Sequence, residues 1–300
     1  MRILFSSLLL GSAFSGLARP IGEKRSYNQT QKKQKPSKGW DLCASAAAKA
    51  SYLYLKPQGY LLGSTSDRAI ASDGGWAPGI GLALGLDIGA LDWRIDLEWH
   101  YSYASPYQSV EAGSISSLIN AGTNYTAAEQ WLDMKINRAL ILWSCEVNLF
   151  DRFLIRPKAG TEAIWLHQKR HLRYSGAGVA ESFGKNSFSG FGSVGGLGLR
   201  YHLGGGFAWV GDSLFSLVWG HFNTRGSLNY SGSAVEPTLH LTSGLEWQRD
   251  FSTGYISIGA VYEVHHYFSQ GQSYYEGAAN QPINTDFNVA GPSLYARVCF

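Results

Sequence analysis

Ionisable side chains recur at every second position in several parts of this sequence, with apolar residues between them. On a β-strand such residues share one face, because successive side chains point to opposite sides of the strand. Inside a water-filled pore such a face sets ion selectivity, whereas in a narrow interior the same groups pair with one another. The candidates for this interior role are Arg94, Asp96, Glu98, His100, Asp133, Lys135, Glu146, Arg156, Lys158, Glu162, Arg200, His240, Glu246, Glu263 and Arg297.

Motifs for enzymatic chemistry are weak in this sequence. The glycines of Gly190–Gly195 match the dinucleotide-binding pattern G-x-G-x-x-G, but no helical pattern follows them, so nucleotide binding is not expected. Neither G-x-S-x-G nor H-E-x-x-H occurs, and His265 and His266 point to opposite faces of a predicted strand. We therefore expect no catalytic residue, no metal site and no cofactor. An enzyme that pairs a serine or aspartate with a distant histidine is kept as the weakest functional alternative.

Alternating apolar and polar residues predict β-strands through most of the chain. The clearest alternating segments are Trp93–Tyr101, Phe153–Trp165, Leu239–Trp247, Ile256–Val264 and Leu294–Phe300. Between Arg138 and Leu140 the parity of the apolar positions changes: Met134 and Ile136 share one parity, and Ile141 and Trp143 share the other. This change predicts a β-bulge, which would keep both sets on one face.

The connections between predicted strands fall into two length classes that alternate along the chain. Long polar or Gly/Ser-rich stretches lie near residues 57–76, 104–128, 172–187, 223–236 and 269–290, and short turns near 89–92, 149–152, 203–206 and 249–254. Five loops and four turns separate ten strands. Eight to twelve strands are allowed, since residues 129–149 and 207–222 are long enough to hold another hairpin.

The composition favours a membrane barrel over a soluble β-sandwich. Of 300 residues 36 are glycine, 14% are aromatic and only 16% are charged, and no apolar run beyond Ile3–Phe14 approaches the length of a transmembrane helix. Many tryptophans and tyrosines fall near predicted strand ends, where transmembrane barrels carry aromatic girdles. The predicted fold is all-β: an antiparallel transmembrane β-barrel of about ten strands, with long extracellular loops, short periplasmic turns and both termini in the periplasm.

The N-terminus predicts export. Residues 1–18 combine Arg2, the apolar segment Ile3–Phe14 and a small-residue site ending at Ala18, which is typical of a signal peptide. Residues 19–40 hold seven lysines and arginines and one acid, Glu23, and are interpreted as a basic disordered linker. Residues 41–300 form the predicted barrel. Behind a signal peptide, the basic run is more compatible with solvent or lipid headgroups than with nucleic acid.

The cysteines and the last strand carry two further predictions. Cys43 precedes the first strand and Cys299 ends the last, so closure of the barrel makes an intramolecular disulfide between them possible, with linkage between molecules as the rival. Cys145 shares parity with lipid-facing residues. The apolar positions Leu294, Ala296, Val298 and Phe300 resemble the C-terminal signal that the bacterial barrel assembly machinery reads.

Several segments together resemble the Legionella-type major outer membrane protein family, which is also found in Chlamydia-like bacteria. The resembling pieces are Ser51–Pro57, Asp92–Trp99, Leu154–Gly160, Trp165–Lys169, Ser216–Gly220, Gly244–Trp247 and the closing strand. The resemblance implies an abundant porin of the bacterial outer membrane that is sometimes disulfide-linked between subunits and is implicated in host contact. Three cysteines are few for an extensive disulfide network.

Two main functions remain open from the sequence. The first is porin-like passage of small hydrophilic solutes. The second is a closed structural barrel whose loops at 104–128 and 269–290 make surface or host contacts, since ten strands lie nearer to the filled barrels of eight than to the aqueous channels of sixteen. The expected partners are outer-membrane lipids, the barrel assembly machinery, solutes, a host surface or a second copy of the chain, and no nucleic acid.

Overall fold

The computed structural model describes residues 42–58, 60–65, 68–88, 93–118, 123–226, 229–273 and 283–300. The predicted signal peptide and basic linker, at residues 1–18 and 19–40, lie outside these ranges, as do the predicted turn at 89–92 and residues 274–282 of the last predicted loop. No helix long and apolar enough to cross a membrane occurs in the part of the chain that the structure describes.

The described chain consists of β-strands joined by short connections. The strands are β1 Leu42–Pro57, β2 Leu61–Ser64, β3 Ala69–Ala71, β4 Gly75–Ile88, β5 Trp93–Ala104, β6 Tyr107–Ser116, β7 Asn124–Cys145, β8 Val147–Phe150, β9 Phe153–Ser175, β10 Val179–Gly204, β11 Phe207–Gly226, β12 Tyr230–Asp250, β13 Tyr255–Ser273 and β14 Ile283–Cys299.

Ten of these strands close into an antiparallel barrel, which confirms the predicted fold. The ring runs β1, β4, β5, β7, β9, β10, β11, β12, β13 and β14, and β14 pairs back with β1 from Ser45 opposite Cys299 to Pro57 opposite Phe287. The short strands β2, β3, β6 and β8 pair at the ends of this wall. We call the end that holds Leu42 and Phe300 the turn end and the opposite end the loop end.

The alternation of the sequence becomes an inner and an outer face of the wall. Large apolar side chains point outward and stay exposed, for example Leu84 at 61% and Trp219 at 68%. Inward side chains are mostly buried. Because all strands of the ring are paired on both sides, the wall leaves no open sheet edge, which is the condition for crossing hydrocarbon with strands.

The bulge predicted near Arg138 does not exist. Strand β7 pairs with β5 and β9 without a shift of register through this region, so the even-numbered residues from Ala128 to Ser144 point inward. Leu132, Met134 and Ile136 are buried inside the barrel. The prediction failed because it assumed that apolar residues face lipid, whereas these fill the interior.

Two predicted loops are mostly strand. Residues 172–187 belong to β9 and β10, which are separated only by residues 176–178, and residues 223–236 belong largely to β11 and β12. The stretch 104–128 holds β6 and the start of β7. The wall therefore extends further toward the loop end than the polar composition of these segments suggested. Residues 129–149 and 207–222 hold no extra hairpin across the barrel.

The turn between β10 and β11 requires glycine. Gly204, Gly205 and Gly206 all have positive φ, at 105°, 62° and 84°. Residues with a Cβ atom rarely adopt positive φ values, whereas glycine adopts them readily. The three residues lie where the sequence predicted a short turn, at 203–206.

Cys43 and Cys299 form a disulfide that joins the first and last strands, with 6.1 Å between their Cα atoms. Cys145 is a free thiol. The bridge lies at the turn end. There the backbone N–H of Phe300 donates to the carbonyl oxygen of Ala44, and the carbonyl oxygen of Phe300 accepts a hydrogen bond from the N–H of Ala44.

We expect one free thiol in the unreduced protein, that of Cys145, and two in a Cys43→Ser variant, because removing one partner frees Cys299. Mass tagging with a maleimide after unfolding without reductant measures this directly. Three reactive thiols, or a disulfide-linked dimer that survives in Cys145→Ser, would contradict the intramolecular bridge.

Candidate functional site

The candidate site is the interior of the barrel, where most of the ionisable residues singled out by their spacing lie. Those whose side chains the structure places inside are Arg94, Asp96, Glu98, His100, Arg156, Lys158, Glu162, Arg200, His240, Glu246, Glu263 and Arg297, with Glu146 at the turn-end opening. All thirteen lie between the turn end and the middle of the barrel.

Asp133 and Lys135 were wrongly assigned to the interior. They have odd numbers on β7, where even-numbered side chains point inward, and they lie on the outer face beside Tyr103. The error has the same origin as the predicted bulge. Without the bulge, Arg138 lies inside instead. The signal that could have identified it is that the even-numbered apolar positions continue past it, from Ile136 to Leu140.

Arg94 organises the charges nearest the turn end. Its guanidinium contacts Asp87 at 2.9 Å and Asp96 at 2.7 Å, and it donates a hydrogen bond of 2.9 Å to Ser45 Oγ. These partners come from β1, β4 and β5, so one arginine links three strands around the opening.

A second set of ion pairs lines the opposite wall. Arg200 contacts Glu246 at 2.5 Å, and Tyr295 donates a hydrogen bond of 2.6 Å to the same carboxylate. Lys158 pairs with Asp212, and Arg156 pairs with Glu146. Both signs of charge are thus present and largely matched.

Glu162 is the centre of a buried network in the middle of the barrel. Its carboxylate accepts hydrogen bonds from Arg138 and Ser216, with Thr238 at 3.3 Å and His240 Nε2 at 3.4 Å. The Glu162 side chain has no exposed area. A buried carboxylate is tolerated only with such partners, because the cost of removing it from water is several kcal/mol.

The network continues from His240 to the other side of the interior. His240 contacts His265, His265 contacts Glu263 at 2.8 Å, and Glu263 pairs with Lys49 at 2.9 Å. We call this set, from Arg138 through Glu162 to Lys49, the central network. Lys49, Arg138 and Ser216 belong to it although the sequence did not single them out.

An apolar layer closes the interior on the loop-end side of the central network. It is one continuous cluster with members on nine strands of the ring, and Ala234 of β12 packs against it. Its members are Leu53, Leu55, Tyr60, Ala77, Ala104, Leu132, Met134, Ile136, Ile164, Leu166, Phe188, Val218, Phe222, Tyr267, Phe287 and Val289. On β9 the order is Glu162, then Ile164 and Leu166, toward the loop end.

The side chains of the apolar layer are packed tightly. Leu55, Leu132, Ile164, Leu166 and Phe287 have no exposed area. Phe188 and Phe222 contact each other with ring centroids 4.7 Å apart, and Tyr267 stacks on Phe287 at 4.6 Å. The layer therefore fills most of the cross-section of the barrel with apolar groups. Glu236 of β12, which pairs with Val218, is a buried polar residue at the same level.

Two cavities lie on the turn-end side of this layer. One, of about 310 Å³, opens among Arg94, Glu146 and Tyr255, and the other, of about 220 Å³, reaches inward to Lys49, His100 and Glu263. Arg156, Arg200, Glu246 and Arg297 line both. The interior is thus a polar chamber open toward the turn end and covered by the apolar layer.

The chemistry available to this interior is limited. Ser216, the serine nearest a histidine and a carboxylate in the central network, is 1% exposed and bonds to Glu162 and Thr238. A nucleophile requires room for substrate as well as a base in contact. Ser216 contacts a carboxylate, but its burial leaves no room for substrate beside it. Cys43, Cys299 and Asp87 lie within 4.8 Å of one another, but the disulfide removes the thiolates that a metal would bind.

Comparison with known proteins places the chain in a family. A family model described as the Legionella pneumophila major outer membrane protein precursor matches residues 35–300. The chain belongs to this family. The match covers the entire barrel, and together with the fold it supports a location in the outer membrane.

Solved structures with a similar fold are also outer-membrane proteins. The outer membrane protease OmpT from Escherichia coli is 10% identical with a TM-score of 0.53, covering 89% of this chain and 99% of its own. A major outer membrane protein from Thermus thermophilus is 12% identical with a TM-score of 0.37, covering 86% of this chain and 99% of its own. At such identity the likeness to OmpT concerns the fold alone. No curated protein matches the chain.

We expect Arg138→Leu to destabilise the barrel by about 3–5 kcal/mol, because it leaves the buried Glu162 carboxylate without its cation. The double variant Arg138→Leu, Glu162→Leu should recover most of this loss, since no charge is then left unpaired. Urea unfolding of the folded barrel in detergent, followed as loss of the compact form on a gel, gives the midpoints.

The matched control is Glu146→Gln at the turn-end opening. Its pair with Arg156 is partly exposed, so the loss should stay below about 1 kcal/mol. Equal effects of Arg138→Leu and Glu146→Gln would show that the central network does not depend on this ion pair.

Proposed function

We propose that this protein is an outer-membrane barrel with a closed interior, which acts through its loop end as a structural and surface-contact protein. The observation that carries the proposal is the apolar layer: a single packed cluster touches every strand of the ring and separates the chamber from the loop end. Hydrophilic solutes do not cross a dry apolar layer, because groups that lose water there gain no hydrogen bonds in exchange.

The orientation proposed is the one expected of outer-membrane barrels, with the turn end in the periplasm and the loop end outside the cell. The wall extends at the loop end through the β9–β10 and β11–β12 hairpins, and β2, β3 and β6 add further sheet there. A second apolar cluster that includes Leu62, Ile115, Tyr125 and Tyr174 supports these added strands. Such a rigid platform suits contact with other surfaces.

Porin-like passage of small hydrophilic solutes is the second candidate. The polar chamber favours it, because charges of both signs line two neighbouring cavities on the turn-end side of the apolar layer. Passage would require the apolar layer to move aside. Catalysis and a cofactor have no part in either proposal.

The decisive test is single-channel recording of the folded protein in a planar bilayer. We expect no stable conductance steps of porin size from the natural sequence. Phe188→Ala combined with Phe222→Ala removes two rings that contact each other in the apolar layer and should produce small, frequent steps. Heat-modifiable migration on a gel checks that each protein is folded.

A matched control removes two phenylalanines from the outer face of the same strands, Phe191→Ala with Phe215→Ala, which are 60% and 48% exposed. This variant should stay silent. Stable steps from the natural sequence would overturn the closed barrel. If their ion selectivity also changed in Arg297→Gln, a residue that lines both cavities, the porin would be the better account.

A further inference from the structure

A cluster of cations lies on the outer face of the wall, away from the interior. Three of them, Lys169, Lys185 and Arg225, stand in one row across adjacent strands, since Lys169 pairs with Lys185 and Lys185 with Arg225. A neighbouring row brings Lys135 opposite His167. We call these five residues on β7, β9, β10 and β11 the basic patch.

The basic patch is exposed and surrounds a shallow cavity. All five side chains are exposed, and the cavity measures about 600 Å³. Among the described residues that line it, the single carboxylate is that of Asp133, which already accepts hydrogen bonds from Tyr103 and Ser105. Three lysines and an arginine thus face the cavity with one acid between them.

The row of cations is unfavourable for the sheet by itself. Like charges on directly opposite residues of neighbouring strands repel each other and destabilise the pairing. The row of Lys169, Lys185 and Arg225 contains two such contacts in succession. Asp133 of β7 lies directly opposite Lys169 at one end of the row and offsets part of its charge. An anion bound over the row would add to this compensation.

The position of the basic patch relative to the exposed apolar belt identifies the anion. Trp165 points outward from β9 and is 43% exposed, with Phe191 and Trp219 exposed on the next two strands. Tryptophan at such positions marks the boundary between hydrocarbon and headgroups. His167 and Lys169 follow Trp165 by two and four residues, roughly 7 and 13 Å along the strand toward the loop end. The patch therefore lies at the depth of lipid headgroups.

We propose that the basic patch binds the phosphorylated headgroup of a lipid in the leaflet at the loop end. Lysines supply mobile point charges to phosphate oxygens, and Arg225 supplies a planar donor pair. This inference rests on the proposed orientation, under which that leaflet is the outer one and its phosphorylated lipid is a lipopolysaccharide. The glycan of such a lipid would extend along the rest of the extended wall.

The test measures retention of lipid by the purified, delipidated protein in detergent micelles. Native mass spectrometry during titration with bisphosphorylated lipid A, dephosphorylated lipid A and phosphatidylcholine gives three apparent dissociation constants. We expect the bisphosphorylated form to bind at least about tenfold more tightly than the other two, as several charge contacts of this kind add up. Higher salt should reduce the difference.

The variant that removes the row is Lys169→Gln with Lys185→Gln and Arg225→Gln. It should lose about tenfold or more of the affinity for bisphosphorylated lipid A. Its thermal stability without lipid should change little, because the loss of the repulsion along the row is offset by the loss of the pair between Asp133 and Lys169. The matched control, Lys56→Gln with Arg152→Gln and Arg249→Gln, removes the same charge from exposed positions elsewhere. It should change the affinity by less than about twofold.

Several outcomes would overturn the inference. One is equal affinity for phosphorylated and dephosphorylated lipid A, and another is an unchanged affinity in the triple variant. A third is an equal loss of affinity in the control variant, which would show that only the net charge of the protein matters. Tight binding of inorganic pyrophosphate without preference between the lipids would assign the patch to a free anion instead. None of these results depends on whether the interior conducts, so failure here is distinguishable from failure of the closed barrel.

Discussion

The closure of ten strands into a ring is the constraint on which the remaining features depend. A sheet that crosses hydrocarbon must pair all its backbone groups, so β14 has to return to β1, and the circumference follows from the number of strands. At ten strands the interior is too narrow to be left empty. Every second side chain must therefore fit against those from the opposite wall, and the filling of the interior becomes the main problem that this sequence solves.

The sequence solves that problem in two different ways along the barrel axis. On the loop-end side of the central network the interior is filled by the apolar layer, which packs as a soluble core does. Buried polar side chains follow further toward the loop end, among them Arg170, which bonds to Gln130. Toward the turn end the interior is filled by ion pairs, with Glu162 and Arg94 each held by several donors or acceptors. The charged half keeps two cavities, and Gly81 and Gly198 in the wall of one of them contribute no side chain to fill it.

The two faces of the same strands consequently obey opposite rules. Outside, apolar residues such as Leu84 and Trp219 are exposed, as contact with lipid demands. Inside, residues as polar as Arg138 and Glu162 are buried. The outer face changes character beyond Trp165, where the cations of the basic patch follow the exposed aromatic residues. Strands β9 and β10 continue from there toward the loop end.

The sequence by itself determined the class of fold, the approximate number of strands and the face on which most charges lie. These follow from local periodicity: with a period of two, Arg94 and Asp96 must share a face opposite Trp93 and Ile95. The glycines of the β10–β11 turn were equally predictable from the sequence, since local backbone geometry requires them.

Only the tertiary structure decided whether an apolar residue faces lipid or fills the interior, because both environments accept the same side chains. Met134 and Ile136 were therefore assigned to the wrong face, and Asp133 and Lys135 with them. Which charges meet was also beyond the sequence: Lys49 reaches Glu263, 214 positions away, only because the ring closes. The register between distant strands sets such contacts, and no local pattern encodes it.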